Sequence, residues 1–148
     1  MFGALKKAFG GKAVELKVAA RNIENKDLME AAVDGMLLMA YSEDKKLGDD
    51  EKSQIEGLLR TNPKLSGFGT AVMDRFNQTN DALKAGYISA RIRILREIED
   101  VKHVRQDAED VFAAILEVAL GDGNVSDAER GELNTIAQKL GLRVEDFI

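Results

Sequence analysis

Apolar residues recur at three- and four-residue intervals through most of this chain, the spacing of one face of a helix. The strongest such pattern covers residues 26–42, which Asn25 can cap. Leu28, Ala32, Met36 and Met39 form one stripe, and Val33, Leu37 and Ala40 form a second beside it. A helix this apolar belongs in the centre of a domain, and its methionines read as core filling. A helix over about 49–60 follows. It is predicted to end at Asn62-Pro63, because proline cannot continue a helix and asparagine tolerates a left-handed cap. Phe68, framed by Gly67 and Gly69, reads as an anchor in a turn. Thr70 then caps a helix carrying Val72, Phe76 and Leu83 and ending near Gly86.

Residues 87–101 form another helix, with Ile88, Ile92, Leu95 and Ile98 on one side. Arg91 falls inside that arc. Either it pairs with a loop carboxylate, as a buried arginine must, or its stem packs while its head reaches water. Arg93 and Arg96 lie opposite, and with Arg105 they read as a solvated face. His103, the one histidine, is expected on the surface ahead of a helix over 105–120. That helix holds Val111–Leu120, a run apolar nearly all round. The last helix runs from Ser126 to Leu140 and stops at Gly141 in a Schellman-type end. Val144 and Phe147 then fold the tail back onto the core.

The chain's start is patterned differently. Phe2, Leu5 and Phe9 fall at helical spacing beside Lys6 and Lys7, Gly10-Gly11 breaks the pattern, and residues 12–22 resume it through Ala13, Leu16, Ala20 and Ile23. Residues 1–11 are either a short helix docking its phenylalanines on the domain or an amphipathic contact with a membrane surface.

Two stretches repeat one another. Set Asp44 against Asp122 and, without a gap, Leu47 matches Val125, Glu51 matches Glu129, Ile55 matches Leu133 and Leu58 matches Ile136. Upstream, Leu37 matches Ile115 and Leu38 matches Leu116. This predicts two helix–loop–helix units packed as a pseudo-twofold pair with their loops close together. The expected architecture is one all-α domain of about seven helices over residues 1–148.

Composition narrows the function without naming it. A content of 45% hydrophobic and 32% charged residues with a single proline suits a helical globular protein. No cysteine is present, which excludes disulfides and thiolate metal sites, and no run of about 20 apolar residues exists to span a bilayer. The net charge of −5 hides an asymmetry. Lys6, Lys7, Lys12, Lys17 and Arg21 against Glu15 make the first 23 residues basic, so the rest is more acidic than the total. A basic end on an acidic body argues against a nucleic-acid binder. No nucleophile constellation accompanies His103, so nothing points to an enzyme.

The candidate chemistry lies in the two acidic loops. The second offers Asp122, Asn124, Ser126, Asp127 and Glu129, all hard oxygen donors suited to a divalent cation such as Ca²⁺. It is not an EF-hand: the position requiring glycine holds Asp127 and the twelfth position holds Leu133. The first loop offers Asp44 and Glu51, but Lys45 and Lys46 set positive charge where a cation would sit. A purely structural explanation competes. Ser126 and Glu129 form the S-x-x-E capping box, Asp122-Gly123 makes a turn, and acids near a helix start suit its dipole.

The duplicated loop, Asp-Gly-x-apolar-x-x-x-Glu between an alanine-rich helix and a second helix, resembles the TerB tellurite-resistance family. Glu51-Lys52 with Leu58-Leu59-Arg60, and Leu140-Gly141-Leu142 with Glu145-Asp146-Phe147, extend the resemblance over essentially the whole chain. Lys45-Lys46 departs from it. The resemblance implies a non-enzymatic cytoplasmic protein of tellurite resistance and stress response. It further implies weak divalent-cation binding at the acidic loops and action beside other proteins of the system, a membrane component among them.

Overall fold

The computed structural model describes residues 22–121 and 125–147. Six α-helices lie among them: α1 (Lys26–Tyr41), α2 (Asp49–Thr61), α3 (Ala71–Ala85), α4 (Tyr87–Asp100), α5 (Arg105–Gly121) and α6 (Asp127–Lys139). Short 3₁₀ helices at Pro63–Phe68, Val101–His103 and Val144–Asp146 connect or end them. No strand occurs among the described residues, and the fold is all-α. No described helix is long and apolar enough to cross a membrane. The readings of residues 1–11 and 12–22 lie, but for Asn22, outside the described residues.

α1 is the centre, as its double stripe predicts. Eleven of its residues are buried, and it packs on α3, α4, α5 and α6. Its closest neighbour is α5, and Gly35 makes that approach possible: a Cβ there would fall 2.3 Å from Ile115 Cδ1 and 2.8 Å from Cγ1. Most of α5's apolar run is likewise inaccessible, from Val111 through Leu116. The C-terminal tail closes the core. Gly141 takes φ +71°, the Leu142 and Gly141 N–H groups donate to Ala137 and Gln138 carbonyls, and Phe147 reaches Phe112 edge-to-face at 5.0 Å. That is the predicted Schellman end, and an aromatic pair of this geometry adds about 0.5–1.5 kcal/mol beyond its burial.

Three local expectations need correction. Ile88 is 78% exposed and Ile92 47% exposed, because α4 buries Ala90, Ile94, Leu95 and Ile98 instead. Two apolar stripes overlap on that helix, and contact with α1, α3 and α6 selects the one continuing backward from Ile98 in four-residue steps. Asn62 is extended (φ −71°, ψ 113°) rather than left-handed, as residues before proline are. Its side chain accepts the Lys64 N–H at 2.9 Å and so starts the 3₁₀ helix. Thr70 occupies the cap position of α3, but its hydroxyl makes no capping bond.

Candidate functional site

The second loop meets α6 in the predicted way. Ser126 is extended, its hydroxyl accepts the Glu129 N–H at 3.1 Å, and Glu129 Oε1 accepts the Ser126 N–H at 3.1 Å. Two of the unpaired N–H groups at the helix start are thereby satisfied. The Glu129 side chain is buried, whereas Asp127 is fully exposed with Arg130 at 4.0 Å. Asp122 and Asn124 lie outside the described residues, as does the spacing between the two loops.

The first loop is described throughout. Asp44 and Glu51 are both exposed. Lys45 occupies the left-handed region at φ 57°, the position matching Gly123 in the other loop, and its N–H donates to the Tyr41 carbonyl at 2.8 Å. A lysine there costs about 1 kcal/mol relative to glycine. Its ammonium lies 5.9 Å from the centre of the Tyr87 ring, a cation–π contact. Gly48 caps α2 without a side-chain bond. In the register that sets Asp44 against Asp122, α2 and α6 begin and end at matched positions.

The donor chemistry of both loops suits hard cations. Among the described residues, however, no three acidic or histidine side chains converge as metal ligands. The described half of the second loop supplies at most two carboxylates, Asp127 and Glu129.

The structure also assembles charged groups that the helical pattern did not single out. Asp34, in the middle of α1, is fully buried. Arg75 of α3 grips it with two bonds, Nε at 3.0 Å and an Nη at 2.5 Å, and the Thr79 hydroxyl donates at 2.5 Å. Glu97 of α4 accepts from Arg75 at 3.1 Å and from Arg93 at 2.7 Å, while Glu30 lies 3.6 Å from Arg75. Burial, with Asp34 close by, pushes the Glu97 carboxyl up to about 7, against the pull of Arg75 and Arg93. The readable signal was a lone aspartate inside an otherwise apolar run, since such a charge must be paired. Arg93 lies on a solvated face as expected, and from there its guanidinium also reaches Glu97 of this cluster. Arg91 does pair, donating to Glu132 at 2.8 and 3.1 Å, but its partner sits on α6 and not in a loop.

Glu30 and Glu97 also reach an open groove of about 430 Å³ between the start of α1, the end of α4 and the start of α5. An adjoining hollow of about 370 Å³ shares Asn25, Leu28 and Asp107 with it and continues to Asn22, Glu24 and Asp110. Seven carboxylates line the two together, and His103 is the one basic-capable side chain among the described lining residues.

Comparison with curated proteins and with solved structures finds no match. Comparison with protein families matches residues 12–148 to the family described as Tellurite resistance protein TerB. The match takes in both acidic loops, the capping box and the C-terminal ending, so the chain belongs to the TerB family of tellurite-resistance proteins.

Proposed function

We propose that this TerB-family protein is a non-enzymatic, cytoplasmic component of tellurite resistance and stress response. In this reading its second acidic loop takes up a divalent cation, calcium foremost, and the domain docks other proteins of the system, a membrane component included. The family match over residues 12–148 carries the reading. The donors agree with it: Asp127 and Glu129, with Asp122 and Asn124 before them, offer only hard oxygens. Few carboxylates on a short loop place the affinity at roughly 10⁻⁴–10⁻³ M. A bound cation would tie the end of α5 to the start of α6. The first loop, with Asp44 and Glu51, is the weaker candidate because Lys45 and Lys46 oppose a cation.

A thermal melt with and without millimolar Ca²⁺ tests the cation. A ligand that binds only the folded chain at tenfold its Kd adds about 1.4 kcal/mol. Asp122→Asn keeps the turn and Glu129→Gln keeps the acceptor for the Ser126 N–H, yet each removes a charge. Both should abolish the calcium-dependent rise and leave the metal-free melt nearly unchanged. An unresponsive wild type would leave the second reading, an interaction scaffold whose loops are helix caps only. The capping box favours that reading, since it accounts for Ser126 and Glu129 without a metal.

A further inference from the structure

We propose that the acidic groove between the start of α1, the end of α4 and the start of α5 is the docking site for the chain's own basic segment, residues 1–21. The placement of charge in the groove is not what helix stability asks for. Acids at helix starts, such as Asp27 in α1 and Asp107 in α5, are favoured by the helix dipole. Glu97, Glu99 and Asp100 instead crowd the last turn of α4, which holds no basic residue. There the dipole opposes them. Glu99 has Lys102 at 3.9 Å and Lys139 at 3.5 Å, but Asp100 and Asp27 are exposed and make no ion pair among the described residues. Asp100, set against the dipole and left to solvent, together with the exposed Asp27 fits a site awaiting a cationic occupant.

The occupant is specified by where the chain comes from. Ile23 is buried and its N–H donates to the Lys64 carbonyl at 2.8 Å, which fixes the chain beside the groove. Asn22 and Glu24 on either side line the adjoining hollow, so the preceding residues issue from its rim. Those residues carry Lys6, Lys7, Lys12, Lys17 and Arg21 against a single acid, Glu15. Lys17 lies five residues before Asn22, a reach of up to about 17 Å when extended. The groove also presents apolar surface, half-buried Leu28 and 53%-exposed Val104, to receive apolar residues such as Phe9 and Leu16. A tethered segment acts at an effective concentration in the millimolar range, so modest attraction suffices. The same attraction is screened by salt.

Because the chain has no cysteine, Ala8→Cys gives a unique position for a nitroxide label on the full-length protein. Amide spectra should then show paramagnetic broadening concentrated at Leu28, Asp100 and His103 and absent around Asp44, which follows the opposite end of α1. The broadening should fade as ionic strength rises. It should be lost in Asp27→Lys/Asp100→Lys, whose exposed sites leave the fold intact, and recovered in part when Lys6→Glu, Lys7→Glu and Lys12→Glu are added. Broadening spread evenly or centred elsewhere would overturn the proposal. So would broadening seen only when spin-labelled and isotope-labelled chains are mixed, since a second copy would then fill the groove.

Discussion

The leading helices of the two helix–loop–helix pairs bury charge at different matched positions: α1 buries Asp34 where α5 buries Phe112, and α5 buries Asp110 where α1 buries Ala32. The second helices differ in depth. α6 buries Leu133, Ile136 and Ala137 together with two carboxylates, Glu129 and Glu132, whereas α2 buries only Ile55 and Leu59. The first pair therefore keeps its charge at the centre and a shallow helix outside. The second has Phe112 at that central position, keeps its buried Asp110 one turn into α5, where Gln106 donates to it at 2.8 Å, and adds two carboxylates on a deeply set helix. The matched apolar spacing decides which residues turn inward, and the neighbours decide how far. α6 is held by Arg91 from α4 and backed by Leu142, Val144 and Phe147. α2 rests on α1, α3 and the turn at Pro63–Phe68.

The sharpest way to break this comparison is at Arg75. Removing it by Arg75→Ala leaves the Asp34 carboxylate buried with only the Thr79 hydroxyl donating directly to it. Breaking a buried pair in this way costs about 3–5 kcal/mol, readable as a fall in the urea midpoint. Replacing both partners, Asp34→Leu with Arg75→Met, should recover part of that loss, because an apolar pair avoids desolvating charge. A loss below about 1 kcal/mol for Arg75→Ala would mean that the centre of the first pair does not depend on its ion pair.

Depth is compared next. Leu133→Ala in α6 empties a fully buried site, and Ile55→Ala in α2 trims one that is 6% exposed at the edge of the core. Leucine or isoleucine to alanine costs about 2–5 kcal/mol, more where the surroundings cannot collapse. Leu133→Ala should fall near the top of that range and Ile55→Ala near the bottom. Equal costs in urea unfolding would make α2 as integral as α6.

Protonation separates the pairs further, because the charged cluster of the first contains Glu97. Its carboxyl is raised to about 7, chiefly by burial and then by Asp34, so the folded chain holds a proton that the unfolded chain has released. Between the ordinary glutamate range and about 7 the folded state binds more protons. This group's contribution to stability therefore falls as pH rises through that window. Glu97→Gln removes the titration while keeping an acceptor for Arg75 and Arg93. The difference in stability, variant minus wild type, should rise from pH 4.5 to pH 7 and level off above it. A flat difference across the window would place the Glu97 carboxyl in the ordinary range.

Local chemistry was legible in the sequence and side-by-side packing was less so. The Asn25 cap, the Ser126–Glu129 box and the Gly141 end each depend on residues within one turn of one another, and all three formed as read. The α1 stripes were legible because an apolar run of that length has no other place to go. The face of α4 was not, since two overlapping stripes satisfy the same period and only the surrounding helices choose between them. The Asp34–Arg75–Glu97 cluster joins residues 41 and 22 positions apart on three helices. Spacing along the chain carries no record of such a meeting. Of the loop residues proposed for cation binding, the sequence located Asp127 and Glu129 at the start of a helix, and its capping pattern already explained one of them.

The finest contrast lies in the caps. Ser126 closes α6 with a side-chain bond, and Gly48 closes α2 with none. Replacing a serine cap by alanine costs typically about 1 kcal/mol, so Ser126→Ala should lower the melting temperature by roughly 3 °C for a chain of this size. Gly48→Ser asks whether the first pair will accept the cap of the second. Its backbone is extended (φ −73°, ψ 165°), the conformation a serine cap requires. A Cβ there meets only Glu51 Oε1 at 3.5 Å, an ordinary contact. The new hydroxyl could then accept the Glu51 N–H as Ser126 accepts that of Glu129. Serine exceeds glycine at this position by only a few tenths of a kcal/mol, which calls for a rise of about 1 °C. A fall on Gly48→Ser would show that the first loop holds its cap glycine for a reason the second loop does not share.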